Sequence, residues 1–391
     1  MRRLSSLAGL TRFPGFRGVL GVPGLSGLVL LCVAGAAGAG EWPSFRGDGA
    51  LTGVATETLA PPLAVAWTFE IEAGAESSPA IAGGRVYVAG LDAVVRALDL
   101  ASGELVWAYE ASVDVKSSPA VFGDTLYFGD GAGTFHAVDV ASGTARWTFE
   151  TEGEIISSAN RAATREGELV LFGSYDQFLY AVDAASGELA WKVETESYVH
   201  ATPAVAGGFA WVGGCDGFFR GVGTADGRQG VEIPLAGYVA ASAALKDGRA
   251  FVGSFENEVL AVDLESGAVA WRYSHPERHF PFYSSPAVTE QVVVIGGRDK
   301  LIHALDPATG KPLWTVEMRA RVDASPVVSG RLVYVADFSG DLRALDLETG
   351  AEAWRFESGE AIAGSPAVGG GTLVVATLDG TVFAFRRIEG S

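Results

Sequence analysis

The stretch from Ser274 to Val288, SHPERHFPFYSSPAV, concentrates side chains that could do chemistry. His275 and His279 could act as acid–base groups or as metal ligands, and a glutamate, an arginine and three aromatic residues accompany them. The two histidines are four residues apart, a spacing that places side chains on one face only in a helix. Because Pro276 and Pro281 disfavour a helix here, we expect a loop and no metal site.

Patterns that would indicate a catalytic centre are absent from the rest of the sequence. There is no Gly-x-Ser-x-Gly nucleophile elbow, no His-Glu-x-x-His zinc helix and no phosphate loop followed by a helix. We therefore predict no catalytic residues and no metal site.

The positions of these side chains are set by a repeat of about 40 residues. One unit reads SSPAVFGDTLYFGDGAGTFHAVDVASGTARW, from Ser117 to Trp147. Its tryptophan recurs at intervals of 40 to 44 residues, with Val231 at the one position that lacks it. We expect these rings to pack between neighbouring units, each with its indole N–H bound to a carbonyl. The tryptophans are Trp67, Trp107, Trp147, Trp191, Trp271, Trp314 and Trp354.

Each unit resolves into four short strands joined by turns. A segment of small apolar residues comes first, and two alternating segments follow around an Asp-Gly type turn. The segment with the tryptophan comes last. This order is typical of an antiparallel sheet. The Asp-x-x-Ser/Thr-Gly turn before the last strand suits local capping by the aspartate and a positive φ at the glycine. Four strands per repeat predict the blades of a β-propeller.

The two ends of the repeat predict how the propeller closes. The last unit stops after three strands, and Leu63 to Glu70 forms a tryptophan strand with no unit before it. If that strand completes the last blade, no sheet edge is left open, and the strand around Trp67 pairs with the strand around Phe383. We predict an all-β fold with eight four-stranded blades in residues 63–386, after a lead-in segment at 41–62 and before a tail at 387–391.

The N-terminus predicts export. Residues 1–40 contain four arginines, no acidic residue and an apolar run that ends in small residues, which together are typical of a cleaved signal peptide. The apolar run is too short to span a bilayer. Leu30 and Leu31 stand before Cys32 where a lipoprotein signal requires a small residue. We expect a periplasmic or secreted protein that is not a lipoprotein.

Charge and cysteine content narrow the function further. The chain has a formal net charge of −19, and removal of the N-terminal arginines would leave it more acidic. Such a field repels nucleic acid and anionic lipid, so we expect no nucleic-acid partner. Because the N-terminal apolar run is short and is removed with the signal peptide, we also expect no transmembrane segment in the mature chain. Cys215 alone would remain after cleavage, which excludes an intrachain disulfide. We expect a monomer.

The segments that recur in the units are, in order, SSPAV, LYFG, DG, AVD, SG and W. This repeat resembles that of the pyrroloquinoline-quinone (PQQ) type β-propellers. The segment EWPSFRGD, from Glu41 to Asp48, is similar to the opening of many bacterial members. The resemblance implies either a quinoprotein dehydrogenase with PQQ and calcium at the channel mouth, or a non-catalytic, BamB-like protein that binds partners. The sequence has no vicinal cysteines, no long insertions between blades and no evident carboxylate set for calcium, so we favour the BamB-like branch without a cofactor.

Differences between the units indicate where ligands or partners bind. Each SPAV-like motif has a proline, which Ala159 and Ala243 replace in two units. Three residues before that position, the chain has a chemically mixed set of side chains at one channel mouth: Glu76, Lys116, Ile156, His200, Ala240, Tyr283, Asp323 and Ala363. We predict a binding site among them, with an unoccupied wet channel rim as the alternative. The third-strand positions of His136 and His303 are expected to face solvent.

Two irregular units add further candidates. In the third unit Asn160 and Arg161 replace the usual Ala-Val, and the arginine could pair with Asp323 or Glu76, or hold an anionic ligand. The stretch from Ser274 contains a three-residue insertion in one connector between blades, which we expect to deliver His279, Phe282 and Tyr283 to the mouth.

These observations favour an exported scaffold that binds a protein partner in the cell envelope. A PQQ-dependent dehydrogenase, or a sensor of small molecules or polysaccharides, remains the alternative.

Overall fold

A computed structural model of the protein describes residues 40–235 and 237–388. The predicted signal peptide, 1–40, lies outside these residues except for its last glycine. The described backbone consists of strands joined by turns, bends and irregular segments, and no helix in this part of the chain could cross a membrane.

The strands form eight antiparallel sheets of four, which are the blades, as predicted. The blades are numbered 1 to 8 in chain order, and blade 1 is the first after Glu70. Their first strands, which surround the channel, are β2 (Ala80–Ala82), β6 (Ala120–Phe122), β10 (Asn160–Ala163), β14 (Ala204–Ala206), β18 (Ala244–Lys246), β22 (Ala287–Val288), β26 (Val327–Ser329) and β30 (Ala367–Gly369). The second strands are β3 (Arg85–Ala89), β7 (Thr125–Gly129), β11 (Glu168–Gly173), β15 (Phe209–Gly213), β19 (Arg249–Gly253), β23 (Val293–Gly296), β27 (Leu332–Ala336) and β31 (Thr372–Ala376).

The remaining two strands of each blade lie farther from the channel. The third strands are β4 (Val94–Asp99), β8 (Thr134–Asp139), β12 (Phe178–Asp183), β16 (Phe218–Gly223), β20 (Val259–Asp263), β24 (Leu301–Leu305), β28 (Asp341–Asp346) and β32 (Thr381–Arg387). The outer strands are β5 (Leu105–Glu110), β9 (Ala145–Glu150), β13 (Leu189–Glu194), β17 (Gln229–Pro234), β21 (Val269–Tyr273), β25 (Pro312–Glu317), β29 (Glu352–Glu357) and, from the N-terminal part of the chain, β1 (Leu63–Glu70).

The first and last strands of the chain close the propeller. β1 pairs with β32 in antiparallel register, with Thr68 opposite Phe383. The predicted pairing is therefore confirmed, and β1 supplies the outer strand of blade 8.

The core lies between neighbouring blades, and the recurrent tryptophans are part of it. Each of the seven indole Nε1–H groups donates to a backbone carbonyl of the next blade at 2.9 to 3.1 Å. The turn of the next blade must come close to the ring. At Gly103, with φ of +77°, a Cβ atom would lie 2.6 Å from Trp67, which explains the glycine of the Asp-x-x-Ser-Gly turn.

A closed circle of hydrogen bonds joins the blades around the channel. In each blade one serine or threonine precedes the first strand, and its backbone N–H donates to the hydroxyl oxygen of the equivalent residue in the next blade, at 2.8 to 3.1 Å. The circle closes where Ser365 donates to Ser78. We call it the hydroxyl ring; its members are Ser78, Ser118, Ser158, Thr202, Ser242, Ser285, Ser325 and Ser365.

The lead-in segment blocks one end of the channel, which the sequence did not predict. Backbone carbonyls between Gly40 and Gly53 accept hydrogen bonds from N–H groups of the first strands, or the residue after them, in seven blades. In blade 3 the Asn160 side chain replaces this contact: its Nδ2 donates to the Gly49 carbonyl and its Oδ1 accepts from the Arg161 backbone N–H, each at 2.8 Å. The segment thus contacts all eight blades.

Arg46 lies at the centre of this plug. Its side chain is 1% exposed, and Nη2 donates to the carbonyls of Pro286 and Pro326 at 3.2 and 2.6 Å. Burial lowers the pKa of Arg46 to about 9, so the guanidinium stays protonated at neutral pH. One buried cation therefore fastens the lead-in segment to blades 6 and 7.

The expectation that His136 and His303 face solvent is wrong. His136 is 4% exposed and His303 is fully buried, and each Nε2 lies 3.1 Å from an aspartate, Asp130 or Asp299 respectively. Burial opposes ionisation of Asp130, but hydrogen bonds from His136 and from backbone N–H groups hold its pKa below the ordinary value. These pairs resemble the Arg96–Asp92 ion pair of blade 1 and anchor the turn between the second and third strands.

The hydroxyl ring predicts a specific stability effect. Replacing Ser118 by alanine leaves the buried Ser78 N–H without its acceptor, so we expect the free energy of unfolding to fall by about 1–3 kcal/mol. Denaturant unfolding measures the change. Ser274→Ala, at an exposed serine, is the matched control and should change stability by less than about 0.5 kcal/mol; equal effects of the two variants would contradict the role of the ring.

Candidate functional site

The open mouth of the channel contains a pocket of about 310 Å³. All eight residues of the predicted mixed set line it, including Glu76, Lys116, His200, Tyr283 and Asp323. They lie two residues before the hydroxyl ring in the chain, so they form the outer layer and the hydroxyls the inner layer. Phe45 of the lead-in segment also lines the pocket, which is therefore closed at its base by the plug.

The hydroxyl ring gives the pocket a polar wall. All eight ring residues line it. Each hydroxyl oxygen already accepts a backbone N–H, and a hydroxyl retains its own hydrogen as a donor. Donors therefore face the pocket from every blade.

His200 joins two tyrosines at the mouth. The Tyr175 hydroxyl lies 2.7 Å from Nδ1 of His200, and the Tyr283 hydroxyl lies 3.0 Å from Nε2. Burial lowers the pKa of His200 and raises the pKa of both tyrosines. A neutral imidazole has one donor and one acceptor nitrogen, so one tyrosine donates to the ring and the other accepts from it. The neutral trio fixes the orientation of all three rings.

Most charged groups at the mouth are paired. Lys116 lies 2.9 Å from Glu154 and 3.4 Å from Asp114, and the Glu154 hydrogen bond raises the pKa of the lysine. Asp323 accepts from two arginines of the same face, Arg298 and Arg321.

Glu76 differs from these groups. It is exposed, and no residue within 40–235 or 237–388 forms an ion pair or hydrogen bond with its carboxylate. Among the described charged residues that line the pocket, Glu76 is therefore the one whose charge has no partner, whereas Lys116 and Asp323 each contact two groups of opposite charge.

Asn160 and Arg161 of blade 3 both contact other parts of the propeller. Arg161 forms an ion pair with Glu168 of the same blade, a carboxylate other than Asp323 or Glu76, at 3.1 Å and lies over the Phe122 ring. Asn160 is 2% exposed and holds the lead-in segment. Neither residue lines the mouth pocket.

The enlarged connector brings only part of its predicted set to the mouth. Tyr283 lines the pocket, but Phe282 is 2% exposed and packs in the core of blades 5 and 6. His279 is exposed and outside the pocket lining. Arg278, which the sequence did not single out, anchors the connector: it donates to the Asp299 carbonyl at 2.9 Å and pairs with Glu317 at 3.0 Å.

Three exposed aromatic side chains lie on consecutive connectors of the mouth face. Tyr198 is 50% exposed, Tyr238 61% and Phe280 51%. Tyr198 also stacks on Tyr175, with ring centroids 4.7 Å apart, which connects it to the His200 trio. We call these three residues the aromatic rim; aromatic side chains are enriched in protein–protein interfaces.

Sequence reasoning missed a further layer of the mouth. The first residue of each turn between the second and third strands donates its backbone N–H to a carbonyl of the preceding connector, as Tyr175 does to Glu154 and Arg298 to Pro281. Arg298 and Phe338, at these turn positions, line the pocket. The signal was available, because the residue before each Asp-Gly type pair differs between units.

The donor set at the mouth does not fit a calcium-bound quinone. Calcium takes six to eight oxygen ligands, with carboxylates that converge on it. Of the carboxylates that line the pocket, Asp323 is held by two arginines, which leaves Glu76 alone. Among the described residues no group of three His, Cys, Asp or Glu side chains could hold a metal ion.

The eight closed blades, the tryptophan contacts between them and the repeat define a β-propeller of the PQQ-repeat class. The chain belongs to the PQQ-repeat family described as outer membrane protein assembly factor BamB, whose family model matches residues 60–212, 132–279, 223–302 and 298–391. The predicted resemblance to the PQQ-type β-propellers, and to their BamB-like branch, is thus confirmed. A comparison with curated protein sequences finds no match.

Solved structures share the fold. BamB from Moraxella catarrhalis is 18% identical, with a TM-score of 0.71, over 83% of this chain and 99% of that chain. Quinohemoprotein alcohol dehydrogenase from Comamonas testosteroni is 14% identical, with a TM-score of 0.74, over 92% of this chain and 83% of that chain. The computationally designed Ika8 protein is 16% identical, with a TM-score of 0.71, over 81% of this chain and 97% of that chain. Identities this low establish the fold alone.

The His200 trio predicts a depressed histidine pKa. Burial disfavours the imidazolium, so His200 should titrate below its ordinary value of about 6.5. Because the unfolded chain binds the proton more readily, the trio should lose stability as the pH falls through about 6.5. NMR titration of the histidine ring protons measures the pKa, with His200→Gln to assign the signal. A pKa of His200 at or above the ordinary value of about 6.5 would contradict the prediction.

Proposed function

We propose that this protein is an exported, non-catalytic scaffold of the cell envelope that binds a partner protein at the open mouth of its channel. The aromatic rim carries the proposal: Tyr198, Tyr238 and Phe280 are each at least half exposed, and they lie on three consecutive connectors of one face. Aromatic side chains are the residues that most often dominate binding energy in protein interfaces.

The architecture supports this assignment. The His200 trio and the paired charges lie behind the rim. Because their hydrogen bonds and ion pairs already hold these side chains in place, they lose little conformational entropy when a partner binds. The plug closes the channel base, so the mouth is the accessible end of the channel. Membership of a family described as an outer membrane assembly factor supports an envelope location and a partner protein.

A dehydrogenase function receives less support. The dehydrogenase likeness is one of fold at 14% identity, and the mouth carboxylates do not form a calcium site. The proposal therefore includes no quinone and no resident metal.

The rim predicts the effect of mutation on partner binding. Replacing Tyr198, Tyr238 and Phe280 together by serine should raise the dissociation constant of the partner at least about tenfold. The reason is that these rings, exposed in the free protein, supply the contact area that the partner buries. A photo-crosslinking residue at Glu76 first captures the partner in cells that make the natural envelope, and its affinity is then measured with purified proteins.

The control replaces Leu105, Leu189 and Leu313 by serine. These leucines are about half exposed, at 46 to 51%, but lie on outer strands of three blades. If the leucine variant weakens binding of the partner as much as the rim variant does, the mouth is not the binding site. The same conclusion follows if the yield of crosslinking at Leu105 equals that at Glu76.

The proposed absence of a bound quinone can be tested directly. Incubation of the purified protein with PQQ and calcium should give no stoichiometric quinone absorbance, because the mouth lacks a convergent carboxylate set. Gel filtration followed by absorbance spectroscopy measures the bound quinone. Stoichiometric binding together with dye-linked alcohol oxidation would replace the scaffold function by an enzymatic one.

A further inference from the structure

One contact between blades breaks the eightfold pattern. Seven blade interfaces carry a tryptophan whose indole donates to a carbonyl of the next blade, but blade 4 has Val231 at that position. The carbonyl at the equivalent place in blade 5 belongs to Leu264. Within the part of the chain that the structure describes, this oxygen accepts no hydrogen bond.

The next interface shows what is missing. Between blades 5 and 6, the Pro307 carbonyl accepts from the indole of Trp271 at 2.9 Å and from Nη1 of Arg249 at 3.1 Å. Blade 4 lacks both donors, since Val231 replaces the tryptophan and Phe209 replaces the arginine. The same backbone position therefore has two donors in one interface and none in the other.

A cleft of about 540 Å³ lies at this interface. Its walls include Trp211 and Phe209, with ring centroids 5.8 Å apart, and the Leu264 segment of blade 5. Trp211 is buried, but Phe209 is 37% exposed. The cleft thus combines an accessible aromatic wall with a free backbone acceptor, and its volume falls in the range of ligand pockets.

The charges around the cleft favour a cation. Asp247, Asp263 and Glu265 line it, against a single positive charge on Lys246. The whole chain is also strongly acidic, with a formal net charge of −19. A basic group next to the bound ring would therefore be attracted.

We infer that the cleft between blades 4 and 5 binds a tryptophan side chain of a partner polypeptide that carries an adjacent lysine or arginine. The partner's indole N–H donates to the Leu264 carbonyl, as the protein's own indoles do in the other seven interfaces. Its ring packs against Phe209, and its basic neighbour contacts the carboxylates. An aromatic ring with an N–H donor is the chemistry that this position of the fold accepts everywhere else.

The cleft is separate from the mouth. Each first strand runs from the hydroxyl ring at the mouth to a hairpin on the opposite face, and the cleft lies beside two of these hairpins, at Gly207 and Gly248. A partner could therefore occupy both sites, and the inference does not depend on the proposed function of the mouth.

The test uses the acetylated and amidated peptide Lys-Trp-Lys and the full mature protein. Isothermal titration calorimetry should show saturable binding at one site. The same peptide with 1-methyltryptophan, which lacks the N–H donor, should bind about three- to tenfold more weakly, the effect of one hydrogen bond.

Two variants restore the missing donors. Val231→Trp returns the tryptophan of the other blades, and Phe209→Arg copies the arginine that caps the Pro307 carbonyl. Both should abolish binding of the peptide. Phe209 is partly exposed, so its replacement keeps the test valid if Val231→Trp does not fold. Arg249→Phe is the matched control: Trp271 still caps the Pro307 carbonyl, so this variant should bind one peptide, as the unmodified protein does.

Three outcomes would overturn the inference. They are absence of saturable binding up to the solubility limit of the peptide, equal affinity of the methylated peptide, and unchanged binding in Phe209→Arg. The mouth variant with serine at the three aromatic rim positions should bind the peptide normally, and loss of binding in that variant would place the peptide at the mouth.

Discussion

The hydroxyl ring is the contact on which the rest of the propeller depends. Each of its members uses a backbone N–H toward one neighbour and a hydroxyl oxygen toward the other, so every blade is bound to two others at the same radius. A circle of this kind closes only if all blades present the hydroxyl at the same height. The serine or threonine before each first strand is therefore constant, while the residue two positions earlier is free to vary.

This separation between constant and variable positions explains the chemistry of the mouth. The variable residues contact the pocket and not the circle of hydrogen bonds, so their type does not affect closure. The structure nevertheless holds them firmly, since Lys116 pairs with Glu154 and His200 lies between two tyrosines. The mouth is thus a firmly held surface, and its connectors expose the three aromatic side chains of the rim.

The sequence predicted the blade number, the strand order and the closure by β1, because strand periodicity and turn chemistry recur in each unit. It also identified five of the polar residues of the mouth, since position in the repeat determines the distance of a residue from the channel axis and its height along that axis. It failed where side chains of one unit reach another segment of the chain. The plug is such a case: the Asn160 amide replaces a backbone contact to Gly49 that no repeat pattern reveals. The burial of His136 is another, because only the fold shows that Asp130 lies beside its ring.

The plug gives the two faces of the propeller different roles. A ring of eight blades alone has two comparable channel openings, and a partner could enter either. The lead-in segment removes that equivalence, because its carbonyls bind the N–H groups of the first strands and Arg46 fills the centre with a buried cation. A buried guanidinium is costly unless it is hydrogen-bonded, yet two of its nitrogens, Nε and Nη1, have no partner among the described residues. The many backbone contacts of the segment must offset that cost, so the lead-in segment is an integral part of the folded propeller and the base of its binding pocket.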